Sequence, residues 1–167
     1  LQYHVGAELN VIEFMINQCN VPIGRIKERS LDLLENKNLT TSTVSLIFKF
    51  IKRHEIREAL PIVKDYIEST HEKSTFYTQN EALKTYIHLN GSIDYLHFLL
   101  TKLQPTPEDY RENILLEFFI NNPDPESEQI ILKKLNSCKV VSQQLKYAQY
   151  LLKLNNLEGL RFLVKHV

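Results

Sequence analysis

Apolar residues recur along almost the whole chain at spacings of three and four, the period of a helix that buries one stripe. Ala82, Tyr86 and Leu89, with Leu83 and Ile87 beside them, show the pattern plainly. The alternation of apolar and polar residues that marks a half-buried strand does not appear. The periodicity predicts ten helices, at about 8–19, 22–36, 42–53, 55–69, 77–89, 92–103, 107–121, 125–137, 142–155 and 157–166. Thr40, Thr41, Ser42 and Ser92 suit N-caps, because their hydroxyls accept from unpaired first-turn N–H groups. Pro22, Pro107 and Pro125 suit first turns, where no intrahelical bond is lost. Asn90-Gly91 and Asn155-Asn156 suit the left-handed residue that ends a helix. Pro61 fits a helix that starts near Ala59 and would kink one that starts at Glu55.

The connections alternate between tight and long, the rhythm of stacked helical hairpins. Tight turns fall at Asn20, His54, Asn90, Asn122 and Asn156, with spacings of 34, 36, 32 and 34 residues, which defines an internal repeat. Four residues before the turns stand Ile16, Phe50, Tyr86, Phe118 and Leu152, and eight before stand Ile12, Leu46, Ala82, Ile114 and Ala148. Thirteen after stand Leu33, Ile67, Leu103 and Leu135. Each helix of a hairpin thus carries its own apolar stripe. One hairpin cannot bury both, so stacked neighbours must complete the core. The expected fold is all-α, with about five stacked hairpins in a single domain over residues 1–167. The apolar run through Leu160, Phe162, Leu163 and Val164 reads as part of a longer array.

Several of these segments resemble HEAT-like repeats. Ile56-Arg57-Glu58-Ala59-Leu60 and Glu81-Ala82-Leu83-Lys84 are similar to that family's arginine–alanine–leucine rhythm. Leu89-Asn90-Gly91 and Leu154-Asn155-Asn156 resemble the leucine–glycine–aspartate turn of the short HEAT type, with Asn mostly in place of Gly and Asp. The resemblance implies a right-handed α-solenoid of the HEAT or armadillo kind, a non-catalytic scaffold that binds another protein. Tetratricopeptide repeats share the 34-residue period but need small residues at helix crossings. This chain has Tyr95 and Leu60 where a small residue would be wanted.

Composition fits a globular chain, with 43% hydrophobic and 24% charged residues. Twenty basic residues balance twenty acidic ones, which argues against whole-surface attraction to nucleic acid or anionic membrane. No apolar run is long enough to cross a bilayer, so membrane insertion is not expected. No leader is visible, and Cys19 and Cys138 stand in no metal or redox motif, which favours a reducing, cytoplasmic setting. Cys19 reads as core.

Candidate chemistry is sparse. His54-Glu55 and His71-Glu72 evoke the paired His-Glu ligands of HEAT-type iron enzymes, but they lack equivalent repeat positions and read as polar turns. No phosphate-cradling glycine loop occurs, and no zinc spacing. No cofactor, metal or small-molecule substrate is therefore expected, nor catalysis. Glu112 and Glu117 read as solvated charges, Phe50 and Phe118 as core, and the sequons at Asn38 and Asn90 as turns and caps.

Charge is distributed unevenly. Residues 108–128 carry a net −6 and residues 133–167 a net +6. This is either complementarity between neighbouring hairpins or a basic docking end made by Lys133, Lys134, Lys146, Lys153, Arg161 and Lys165. Used on nucleic acid, that end gives the alternative function, and a HEAT-type metalloenzyme is a more distant one. The expected partner is a protein. A basic and apolar end also predicts weak self-association. Sedimentation should show dimers at low salt that dissociate as salt is added, because exposed charges are screened within about 10 Å at 0.1 M. Salt-insensitive dimers would assign the contact to the apolar end.

Overall fold

The computed structural model describes residues 23–35, 39–69, 75–104 and 109–166. Nine α-helices and one 3-10 turn occur among them, and no strand. The helices are α1 (Ile23–Glu35), α2 (Thr41–Arg53), α3 (Leu60–Glu68), α4 (Phe76–His88), α5 (Ile93–Lys102), α6 (Arg111–Asn121), α7 (Pro125–Ser137), α8 (Val141–Lys153) and α9 (Leu157–His166). The helix expected at 8–19 lies outside the described residues, as do Cys19, Pro22 and His71-Glu72. The chain divides into two compact units, Leu1–Gly91 and Ser92–Val167.

Local chemistry explains most of the boundaries. Thr40 and Thr75 cap α2 and α4 by accepting from Thr43 N and Thr78 N. Ser92 stands at the N-cap of α5, where its side chain does not make the capping bond. Asp124 caps α7, its Oδ1 accepting from the N–H of Glu126 and of Ser127, both at 3.0 Å, and Pro125 takes the first turn. Pro61 sits in the first turn of α3. The helix expected over 55–69 is therefore shorter, with the 3-10 turn Arg57–Ala59 ahead of it.

Three helices end in the same way. Among the described residues, Glu55, Asn90 and Asn155 are the non-glycine residues with positive φ, at 48°, 54° and 60°. At each, the N–H donates three residues back, to Lys52, Ile87 and Leu152 O at 2.9–3.2 Å. The next N–H donates five back, from Ile56 to Ile51 O, from Gly91 to Tyr86 O and from Asn156 to Leu151 O, at 2.9–3.1 Å. This paired closure is the Schellman motif, which satisfies carbonyls that a helix end leaves open. At the end of α6, Asn122 has φ −133° and Pro123 follows, so no left-handed residue closes that helix.

These turns correct the register of the first helices. Counted from Glu55, Asn90 and Asn155, the residues four before are Ile51, Tyr86 and Leu151, all buried. Seven and eight before are Phe48, Leu83 and Ala148, and Ile47, Ala82 and Tyr147, all buried. The pattern continues in α6 as Phe119, Leu116 and Leu115 when Pro123 is taken as the turn. Alignment on the Asn and His residue types puts three of the four described turns one residue off. Leu46 and Leu152 are accordingly exposed, at 40% and 41%, and Ile114 and Phe118 are only half-buried. The second-helix column holds as expected, with Leu33, Ile67, Leu103 and Leu135 all buried.

In the first unit α1 packs on α2 and α3, and α4 packs on α2 and α3. Phe48 and Tyr66 meet edge to face at 5.4 Å, and Tyr66 donates to Leu34 O at 2.9 Å. In the second unit α5 meets α6 and α7, while α8 meets α6, α7 and α9. Gly159 lets α9 approach α8 closely, because a Cβ there would stand 2.6 Å from Ala148 O. Gly91 is closed against the ring of Tyr86 in the same sense.

Adjacent residues in α8 test the register. Leu151→Ala should cost about 2–5 kcal/mol, as core truncations do. Leu152→Ala should stay near the ~0.5 kcal/mol of surface changes. Urea midpoints of both variants check this, and equal losses would contradict the register.

Candidate functional site

Eleven residues before each turn the first helices carry Val44, Gln79, Glu112 and Gln144. In α6 this core position therefore holds a carboxylate. Glu112 is 1% exposed, which corrects its reading as a solvated charge. A buried charge needs partners, and α7 and α8 supply them. Lys134 Nζ lies 2.8 Å from Glu112 Oε1, and Tyr147 OH donates to the same oxygen at 2.8 Å. Gln143 Nε2 donates to Oε2 at 3.2 Å, and Lys134 also donates to Leu103 O at 2.6 Å. Burial pushes the Tyr147 hydroxyl well above its ordinary value, and the Glu112 carboxylate adds to the shift.

A cleft of about 540 Å³ opens beside this network, lined by Thr101, Gln104, Lys133, Lys134, Cys138 and Gln143 among others. Cys138 is a free, half-buried thiol whose Sγ–H points to Val140 O at 3.7 Å. The carboxylate behind the cleft already accepts from three side chains, so the network works first as an internal clamp between α6, α7 and α8.

A second polar cluster joins α5 to the start of α7. The His97 ring is buried and stacks on Phe119 at 5.0 Å with 10° between planes. Its Nε2 lies 3.0 Å from Asp124 Oδ1 and its Nδ1 3.4 Å from Glu126 Oε2, close contacts without hydrogen-bond alignment. Burial would raise the Asp124 carboxyl, but the Ser127 N–H, the His97 imidazole and the Ser127 hydroxyl hold it below its ordinary value. Among the described residues no group of three or more His, Cys, Asp and Glu side chains is placed to hold a metal ion. His54 lies in the α2 turn with its ring 4.4 Å from that of Phe50.

The six basic residues expected to form a docking end lie on three helices. Lys134 is the inward partner of Glu112. Lys146 bonds Asn113, Arg161 pairs with Glu158, and Lys153 lies 5.6 Å from the centre of the Tyr150 ring. Lys133 borders the cleft on α7, and Lys165 lies exposed on α9. Lys134 thus meets a carboxylate of the acidic segment within the α6–α7 hairpin.

In the first unit, the surface of α2 and α4 carries a groove of about 660 Å³ lined by Thr40, Thr41, Ser42, Ser45, Leu46, Lys49 and Tyr77. Nearby, Glu81 pairs with Lys84 at 2.9 Å and with Lys52 at 3.7 Å. Burial would raise the Glu81 carboxyl, yet Lys84, Lys52 and Lys49 together hold it below its ordinary value.

Reading by residue type missed Glu112, Tyr147, His97 and Asp124. Glu112 had no clear signal, because its column of Val44, Gln79, Glu112 and Gln144 is mostly polar even in the corrected register. Asp124-Pro125 had the cap-then-proline signature of a helix start. His97 had none. No protein-family model, curated protein or solved structure matches the chain. No helix among the described residues is long and apolar enough to cross a membrane.

The raised Tyr147 hydroxyl gives a pH test. Because the folded state holds this proton more tightly, its contribution is complete below the unfolded value of about 10. It is lost as pH rises past that value, where the unfolded chain releases the proton first. Urea midpoints of the parent should hold from pH 7 to 9 and fall above pH 10. Tyr147→Phe should lower the midpoint at pH 7 and flatten part of the alkaline fall. An unchanged alkaline slope would contradict the assignment.

Proposed function

We propose that the chain is a non-catalytic helical-repeat scaffold, a right-handed HEAT-like α-solenoid, that binds a protein partner through the exposed faces of its first helices. One observation carries this reading. Tyr77 and Tyr110 occupy the same place in the repeat, thirteen residues before Asn90 and Pro123, and both are more than half exposed, at 54% and 56%. A core residue has no reason to recur on the surface. Tyrosine is enriched in binding hot spots, because its ring offers area at little entropic cost and its hydroxyl a hydrogen bond. The repeated burial of Ile51, Tyr86, Phe119 and Leu151 supports the array, since each first helix presents its outer side in the same register.

The internal pairing of Glu112 and the stacking of His97 favour a structural use for the two titratable clusters. The free thiol at Cys138 favours a reducing setting such as the cytoplasm.

Affinity capture tests the reading. The parent and the variant Tyr77→Ser with Tyr110→Ser should melt alike, because neither ring is core. A protein retained by the parent from nuclease-treated lysate should be lost by the variant. Retention by both, or capture of nucleic acid alone when the nuclease is omitted, would refute the proposal.

A further inference from the structure

The first unit is neutral as a whole, but two of its helices carry a local positive surplus. α2 and α4 carry Lys49, Lys52, Arg53 and Lys84, and their acidic residue is Glu81 alone. Neither helix has an acidic side chain in its first turn. Glu81 is shared, with the Lys84 ammonium at 2.9 Å and the Lys52 ammonium at 3.7 Å. One carboxylate cannot neutralise two ammonium groups, and Lys49 stands exposed beside them on the wall of the groove. The groove itself combines this cation with the hydroxyls of Thr41, Ser42 and Ser45 and the exposed side chains of Leu46 and Tyr77.

We infer that the α2–α4 groove docks a short acidic segment of the partner protein, with carboxylates toward Lys49 and Lys84 and an apolar side chain against Leu46 and Tyr77. This rests on the scaffold reading and names the chemistry of its partner. Charge complementarity selects an acidic occupant, because such patches steer and orient association. A peptide fits better than nucleic acid. The cations are few and clustered, whereas binding along a phosphate backbone draws its strength from many neutralised phosphates. The walls pair hydroxyls with one leucine and one tyrosine, and single-strand binding instead stacks successive bases on several rings. The basic residues of the second unit suit the role less well, since Lys134 and Arg161 are committed to Glu112 and Glu158.

The test is fluorescence anisotropy with the whole chain at low salt. The probe is a short fluorescein-labelled peptide rich in glutamate with leucine at two places. Its counterpart with glutamine for glutamate and a single-stranded oligonucleotide are the comparisons. The glutamate peptide should bind, and its affinity should fall about tenfold in Lys49→Glu with Lys84→Glu, as expected for charge reversal in a complementary interface. Lys64→Glu on α3 should bind like the parent. If the double variant melts early, Lys49→Glu alone serves, because that side chain is exposed and borders the groove. Absence of binding, equal binding of the glutamine peptide, or equal losses in Lys49→Glu and Lys64→Glu would overturn the inference. Tighter binding of the oligonucleotide would overturn it in favour of a nucleic-acid partner. If the peptide fails while capture still depends on Tyr110, this inference falls and the scaffold reading stands.

Discussion

A left-handed residue at the end of a helix decides which face of that helix is buried. At Glu55, Asn90 and Asn155 the backbone reverses hand for one residue, and two N–H groups return to the last turn. The second of these bonds reaches the carbonyls of Ile51, Tyr86 and Leu151, which are themselves core residues. The turn and the core are therefore fixed by the same residue. Once the chain reverses there, the stripe four, seven and eight residues upstream must face inward. For Glu55 this costs some backbone strain, since a non-glycine side chain meets its own carbonyl in that region. Asparagine tolerates it better, as at Asn90 and Asn155.

Among the described first helices, α6 lacks this closure and shows what replaces it. Proline fixes φ near −65°, so Pro123 cannot take the left-handed role. Here the connection is held from the far side. Asp124 caps α7 and also meets His97, whose ring stacks on Phe119 of α6. A polar bridge thus substitutes for a backbone motif, and the stripe of Leu115, Leu116 and Phe119 stays in place.

Helix period, N-caps and proline positions are local properties, and the sequence displayed them. α7 runs over the predicted residues, and Thr40, Pro61 and Pro125 occupy the roles their chemistry suggests. The register error of one residue arose because Asn and His mark turns only by tendency. Glu55, an unfavourable left-handed residue, takes the position next to His54. The polar clusters were hidden for another reason. Glu112, Lys134 and Tyr147 are far apart in sequence, and a glutamate on a helix reads as solvent-facing unless the burial of its position is already known. The exposed pair Tyr77 and Tyr110 was hidden in the same way, since its significance depends on a shared phase.

Repeat chains face a problem of mis-threading, because hairpins of similar stripe can dock on the wrong neighbour or slip by one turn. Apolar stripes discriminate poorly among such arrangements. The Glu112 clamp discriminates well. Gln143 and Tyr147 are one turn apart on α8 and reach the two oxygens of a single carboxylate. A slip of α8 by a turn would strand a charge in the core, and breaking a buried pair in this way costs about 3–5 kcal/mol. One buried glutamate can thus act as an address, distinguishing the native α6–α8 junction from a slipped one.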